Sequence, residues 1–132
     1  MSPAVTVAIM MNNYFHDVAT AMLAASGITL LLITKRFEAA EAQNDKAAKE
    51  YFLSILAGMK KVARFSLYWL LLGGVPRTLA FRGFEWTTAR EHGQIPALII
   101  KHVIAFLVVA LGVWLWLRAN ERVKAVLEGS RA

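Results

Sequence analysis

The stretch YFHDVATAMLAASGITLLLIT, residues 14–34, decides the fold. From Val18 to Ile33 it carries no charge, and crossing a hydrocarbon layer takes a helix of about 20 predominantly apolar residues. Tyr14 and Phe15 suit the headgroup level, where aromatic rings concentrate. Lys35-Arg36 closes the run. Ala21, Ala24, Ala25 and Gly27 are small enough to let another helix or a flat ligand approach closely.

Working outward, Ser2–Met11 is apolar, uncharged and short, and reads as an extended or interfacial lead-in. Asn12-Asn13 then offers a helix cap. No Lys or Arg precedes Lys35, so the basic region of a cleavable signal is missing. On the other side, residues 37–50 are polar and alanine-rich. Glu38, Glu41, Asp45, Lys46, Lys49 and Glu50 suit a solvated helix with i,i+4 pairs. Tyr51–Met59 is too short an apolar run to span a bilayer and reads as an interfacial segment, followed by Lys60, Lys61 and Arg64.

A second span is expected at 62–80, with Pro76 near its far end. Arg77–Gln94 reads as a polar loop with the interfacial aromatics Phe81, Phe84 and Trp86. Ile95-Pro96 opens a third span at 97–117, proline being tolerated in a first helical turn. Trp114 and Trp116 mark its far interface, and Arg118, Arg122, Lys124 and Arg131 follow on a short amphipathic tail. The 132 residues, 58% apolar and 18% charged, therefore predict one domain over 1–132. The fold class is an all-α integral membrane protein with three transmembrane helices and a cytoplasmic helical extension before the second span.

The formal net charge is +6. In a soluble domain that would suggest nucleic acid, but here the cations flank apolar runs, which favours anionic lipid headgroups and no nucleic acid. Lys35, Arg36, Lys46, Lys49, Lys60, Lys61 and Arg64 occupy the first connection, against Arg77, Arg82 and Arg90 in the second. Positive-inside counting puts the first connection and the tail in the cytoplasm and the N-terminus outside, in a bacterial-type inner membrane. The chain has no cysteine, which excludes disulfides, thiolate metal sites and c-type haem attachment.

Histidine is then the one strong nitrogen ligand. His16 opens the first span. His102 lies about 9 Å into the third, and both spans start from the outer side. The two imidazoles are therefore at similar depth, which axial ligation of a haem iron requires. Arg77, Arg82 and Arg90 are candidate partners for haem propionates. Lys101, beside His102, is long enough to snorkel outward. An ionisable group inside an apolar run is costly and usually functional. The plainer readings are a headgroup-level His16, a packing His102 and a solvated His92. Asp17 either orients His16 or caps the helix. Phosphate loops, metalloprotease patterns and nucleophile triads are absent.

The segment from Tyr14 through His16 to Gly27, the basic run Met59-Lys-Lys-Val-Ala-Arg and Leu98-Ile-Ile-Lys-His together resemble the copper-resistance D-type and HemJ-type membrane proteins. The resemblance implies a haem- or porphyrin-handling helical protein, with His16 and Lys101 at the family's polar positions. HemJ-type proteins have a fourth span, and a histidine after the lysine is not in their pattern. The added histidine favours a bis-histidine haem b. The expected function is thus a b-type cytochrome-like electron-transfer subunit in a larger membrane redox complex or homo-oligomer. It would exchange electrons with a periplasmic carrier or a quinone. The alternatives are a non-catalytic accessory or scaffold subunit and a HemJ-type protoporphyrinogen oxidase.

Overall fold

In the computed structural model, which describes residues 1–129, the chain is helical almost throughout. Helix α1 spans Pro3–Ala42, α2 spans Lys46–Ala80, α3 is a short helix at Thr87–Glu91, and α4 spans Ile95–Gly129. A π-helical turn at Arg82–Trp86 joins α2 to α3. No strand occurs among the described residues. Arg131, one of the expected tail cations, lies outside them.

The first helix starts earlier than expected. Ser2 caps it, its Oγ accepting from the Val5 N–H at 3.4 Å, and Pro3 occupies the first turn, where a missing N–H costs nothing. The segment read as an extended lead-in is thus helical. Asn12, expected as a cap, instead donates through Nδ2 to the Gly73 carbonyl of α2 at 2.9 Å.

Helix α1 ends in a Schellman closure. Asn44 adopts φ 54°, a left-handed geometry that asparagine tolerates. The Asp45 N–H reaches the Ala40 carbonyl at 3.0 Å, and the Asn44 N–H reaches Glu41 at 3.1 Å, the paired bonds that define this stop. Asp45 then caps α2 by accepting from the Ala48 N–H at 3.1 Å. The same device precedes α4. Gly93 has φ 65°, and the Gln94 N–H donates to the Ala89 carbonyl at 2.7 Å. Tyr51–Met59 is no separate segment, because α2 runs straight through it. Most of the expected outer loop is also helical.

Helix α1 is the centre of the molecule. It packs against both α2 and α4, whereas α2 and α4 barely meet. Leu23, Leu30 and Phe37 on α1 are fully buried, as are Leu56 and Ala63 on α2, with Leu70 nearly so. Both rows repeat every seven residues, the spacing of a coiled-coil-like helix seam. Helix α4 adds Ala119 and Val123 to this core.

Three pairs fix how α4 lies on α1: Asp17 with Lys101, Gly27 with Gly112, and Glu38 with Arg122. The pairs keep a nearly constant offset in sequence, so α4 runs parallel to α1. At the Gly27–Gly112 crossing, a Cβ added to Gly27 would lie 2.8 Å from the Gly112 carbonyl oxygen, so only glycine permits this approach. At the far end Arg122 grips Glu38 with both Nε (2.8 Å) and Nη2 (2.5 Å), a bidentate pair. Glu38 holds Arg122 above its ordinary pKa, hence charged.

Two helices, α1 and α4, are long and apolar enough to cross a membrane. In the most apolar 18-residue stretch of α4 only 11% is buried. Phe106, Leu107, Trp114 and Leu117 all stand exposed. Hydroxyls on the helices bond back to their own backbone. Thr34 donates to the Leu30 carbonyl at 2.7 Å and Ser66 to Val62 at 2.8 Å, which satisfies these two buried hydroxyl donors within the helix.

Candidate functional site

Because α2 and α4 diverge over α1, a groove opens between them with α1 as its floor. At one end it has a volume of about 440 Å³. Helix α1 contributes His16, Asp17 and Thr20 to it, α2 contributes Arg77, and α4 contributes Lys101 and His102. Leucines of α2 and Ala105, Phe106 and Val109 of α4 make the walls apolar. Of the residues expected at the site, His16, Arg77, Lys101 and His102 therefore meet at one groove. Arg82 does not line it and is exposed on the π-helical turn. The turn carries Arg82 beyond the groove mouth, although it follows Arg77 by little more than one turn of chain.

Arg77 organises the polar end. Its side chain is only 11% exposed. Nη1 donates to Asp17 Oδ1 at 2.7 Å and to His16 Nδ1 at 3.2 Å, and it reaches the Asn13 carbonyl at 3.4 Å. Nε faces Glu85 Oε1 at 3.0 Å. Asp17 also holds Lys101, with Nζ to Oδ2 at 3.3 Å. One carboxylate of α1 thus bridges a cation from α2 and a cation from α4.

The two histidines are held differently. A carbonyl only accepts, so the 2.8 Å contact of His102 Nδ1 with the Leu98 carbonyl fixes the proton on Nδ1. That leaves Nε2 as the ring nitrogen that would coordinate when the ring is neutral, since metal-bound imidazoles commonly donate their other N–H to a carbonyl. It faces Glu85 Oε2 at 3.7 Å, and Phe81 packs edge-on against the ring with centroids 5.4 Å apart.

His16 is clamped. Arg77 has no lone pair to offer, so Nδ1 accepts from it. The other edge of the ring lies on the α2 backbone, where a Cβ added at Gly74 would stand 3.6 Å from Nε2. Gly73-Gly74 makes the space for this imidazole. The fit to a haem is accordingly unequal. His102 turns Nε2 toward Glu85 rather than toward a protein hydrogen-bond donor, whereas His16 is engaged by Arg77 at Nδ1.

Sequence reasoning missed Glu85. Its side chain is 10% exposed, and neither oxygen makes a well-directed hydrogen bond, although Arg77 and His102 flank it. Local sequence gives no signal for it, since a glutamate is ordinarily exposed unless it is paired. From the sequence Asp17 is expected to orient His16 or to cap the helix. The structure makes it the bridge between two cations. His92 is exposed and donates through Nδ1 to the Thr88 carbonyl at 2.8 Å, closing α3 rather than joining the groove.

No three metal-ligating side chains converge among the described residues, so a bare ion held by three protein ligands has no site there. The arrangement is a narrow apolar groove with a polar, charge-balanced head, suited to an amphipathic guest. Compared with family models, curated proteins and solved structures, the chain matches none.

Proposed function

We propose that this chain is a small membrane haem-binding subunit of the b-type cytochrome kind. In this reading α1, the apolar half of α2 and α4 cross an inner membrane, with the N-terminus outside and the α1–α2 connection in the cytoplasm. One observation carries it: histidines from two parallel helices line a single apolar groove whose head holds Arg77 and Lys101. His102 would ligate through Nε2. His16 would serve as second ligand once Arg77 turns to a propionate, and Lys101, half exposed with one partner, keeps donors for the other. The haem would supply one-electron transfer between a periplasmic carrier and a quinone or membrane partner. The chain's own residues orient the ring, neutralise its acids and shield it from water.

The test is an absorption spectrum of the full chain purified in detergent from haem-replete cells. A Soret band is expected. His102→Ala should abolish it, and His16→Ala should convert a six-coordinate spectrum to a five-coordinate one. A colourless preparation with normal helicity rejects the reading.

That outcome would favour a non-catalytic accessory subunit, which one observation independently supports. The Asp17–Arg77–Lys101 cluster ties all three long helices together and needs no cofactor to do so. Porphyrinogen oxidase activity, the third possibility, is tested by rescue of a haem-auxotrophic strain.

A further inference from the structure

The divergence of α2 from α4 opens a second cleft at the opposite end of the bundle, with a volume of about 490 Å³. Lys60 and Arg64 come to it from α2, and Trp116, Asn120, Lys124 and Glu128 from α4. Its charge is uneven. Lys124 has Glu128 at 3.8 Å, but no carboxylate among the described residues lies within 4 Å of Lys60 or Arg64.

Two polar atoms sharpen the case. The Trp116 indole N–H and the Asn120 side-chain oxygen are buried, and neither has a hydrogen-bond partner among the described residues. A buried donor and a buried acceptor left unmade each carry a desolvation cost, and a native structure normally satisfies them. Trp116 and Asn120 line the same cleft as the cations, so a guest that meets all of them must bring anionic oxygens and a hydroxyl together. The cleft also lies at the far end of the apolar stretch of α4. From Lys101 to Lys124 is about 35 Å of helix, close to the hydrocarbon thickness plus part of one headgroup layer.

We propose that this cleft is a binding site for one anionic glycerophospholipid of the cytoplasmic leaflet. The phosphate sits between Lys60, Arg64 and Lys124 and accepts from Trp116. A headgroup hydroxyl donates to Asn120, and the acyl chains run back along the exposed apolar faces of α2 and α4. Basic pockets between helices on this side of a membrane are the usual seats of such headgroups. A free phosphate would satisfy the cations but leave the apolar flanks of the cleft uncovered.

Native mass spectrometry of the full chain in detergent tests this with dioleoyl phosphatidylglycerol and dioleoyl phosphatidylcholine as probes. Phosphatidylglycerol should be retained as a single adduct and phosphatidylcholine released. Each cation replaced by glutamine should weaken retention about five-fold, so Lys60→Gln/Arg64→Gln/Lys124→Gln should abolish it. Arg82→Gln/Arg90→Gln, equal in sign but elsewhere, should leave it intact. Trp116→Phe, which removes only the donor, should weaken it and keep the fold measurable by helicity and thermal unfolding. Equal retention of the two lipids overturns the proposal. So does thermal protection by inorganic phosphate alone that matches phosphatidylglycerol, or full retention in the triple variant. The readout is independent of haem.

Discussion

Arg77 shows how much one side chain can carry. Nearly buried, it meets Asp17, His16, the Asn13 carbonyl and Glu85. Removing one partner of such a set leaves uncompensated charge behind, a loss of about 3–5 kcal/mol for a buried pair. Arg77→Ala should therefore lower the thermal unfolding midpoint in detergent more than any other single truncation at the groove. Arg77→Lys should recover little, because an ammonium cannot span Asp17 and Glu85 as a planar fork does. A lysine variant with the parent's midpoint would show that charge alone, not geometry, is what matters. At this scale the sequence was only partly legible. His16, Arg77, Lys101 and His102 stood out as polar groups beside apolar runs. Glu85 and the bridging role of Asp17 depend on how the chain folds after α2, and local spacing does not encode that. Arg82 fell outside the groove for the same reason.

Between helices, the closest approach is at Gly27 and Gly112. Gly27→Ala drives a methyl into backbone, and strain of about 1–3 kcal/mol is expected from such overpacking. Gly58 is a control within the same protein, since nothing lies within 4 Å of a Cβ placed there. Gly58→Ala should stabilise α2 by about 0.5–1 kcal/mol through its helical preference alone. Thermal unfolding of both variants should move in opposite directions; the same sign for both would refute the crossing. Helix character was readable from the apolar runs, but several boundaries were not. Ser2-Pro3 is a start signal of serine cap and first-turn proline, yet the uncharged run behind it gave no amphipathic period. The stop at Asn44 is a single left-handed residue amid helix formers. The π-helical turn and α3 occupy a stretch whose aromatics and arginines read as loop.

For the whole molecule, three long helices form a spine with two flanks. Helix α1 contacts both neighbours, which hardly touch each other. The sequence anticipated the alternation of direction, and the common offset of the α1–α4 pairs shows that the first and last long helices run in the same direction. Reporter fusions test how this bundle sits in a membrane. A periplasm-active phosphatase joined ahead of Met1 should be active, and a fluorescent protein after Gly129 should glow. The proposed orientation rests on the excess of Lys and Arg in the first connection over the second. An active phosphatase at both ends would mean an even number of crossings, which the proposed topology cannot accommodate.

The open seam between α2 and α4 has a consequence for traffic. With the bundle in a bilayer as proposed, a greasy molecule dissolved among the acyl chains would slip sideways to the histidines without passing through water, since α2 and α4 hardly touch each other. In the proposed placement that doorway would face the oil, and the concentration governing loading would be the one in the bilayer, not the one in the surrounding solution.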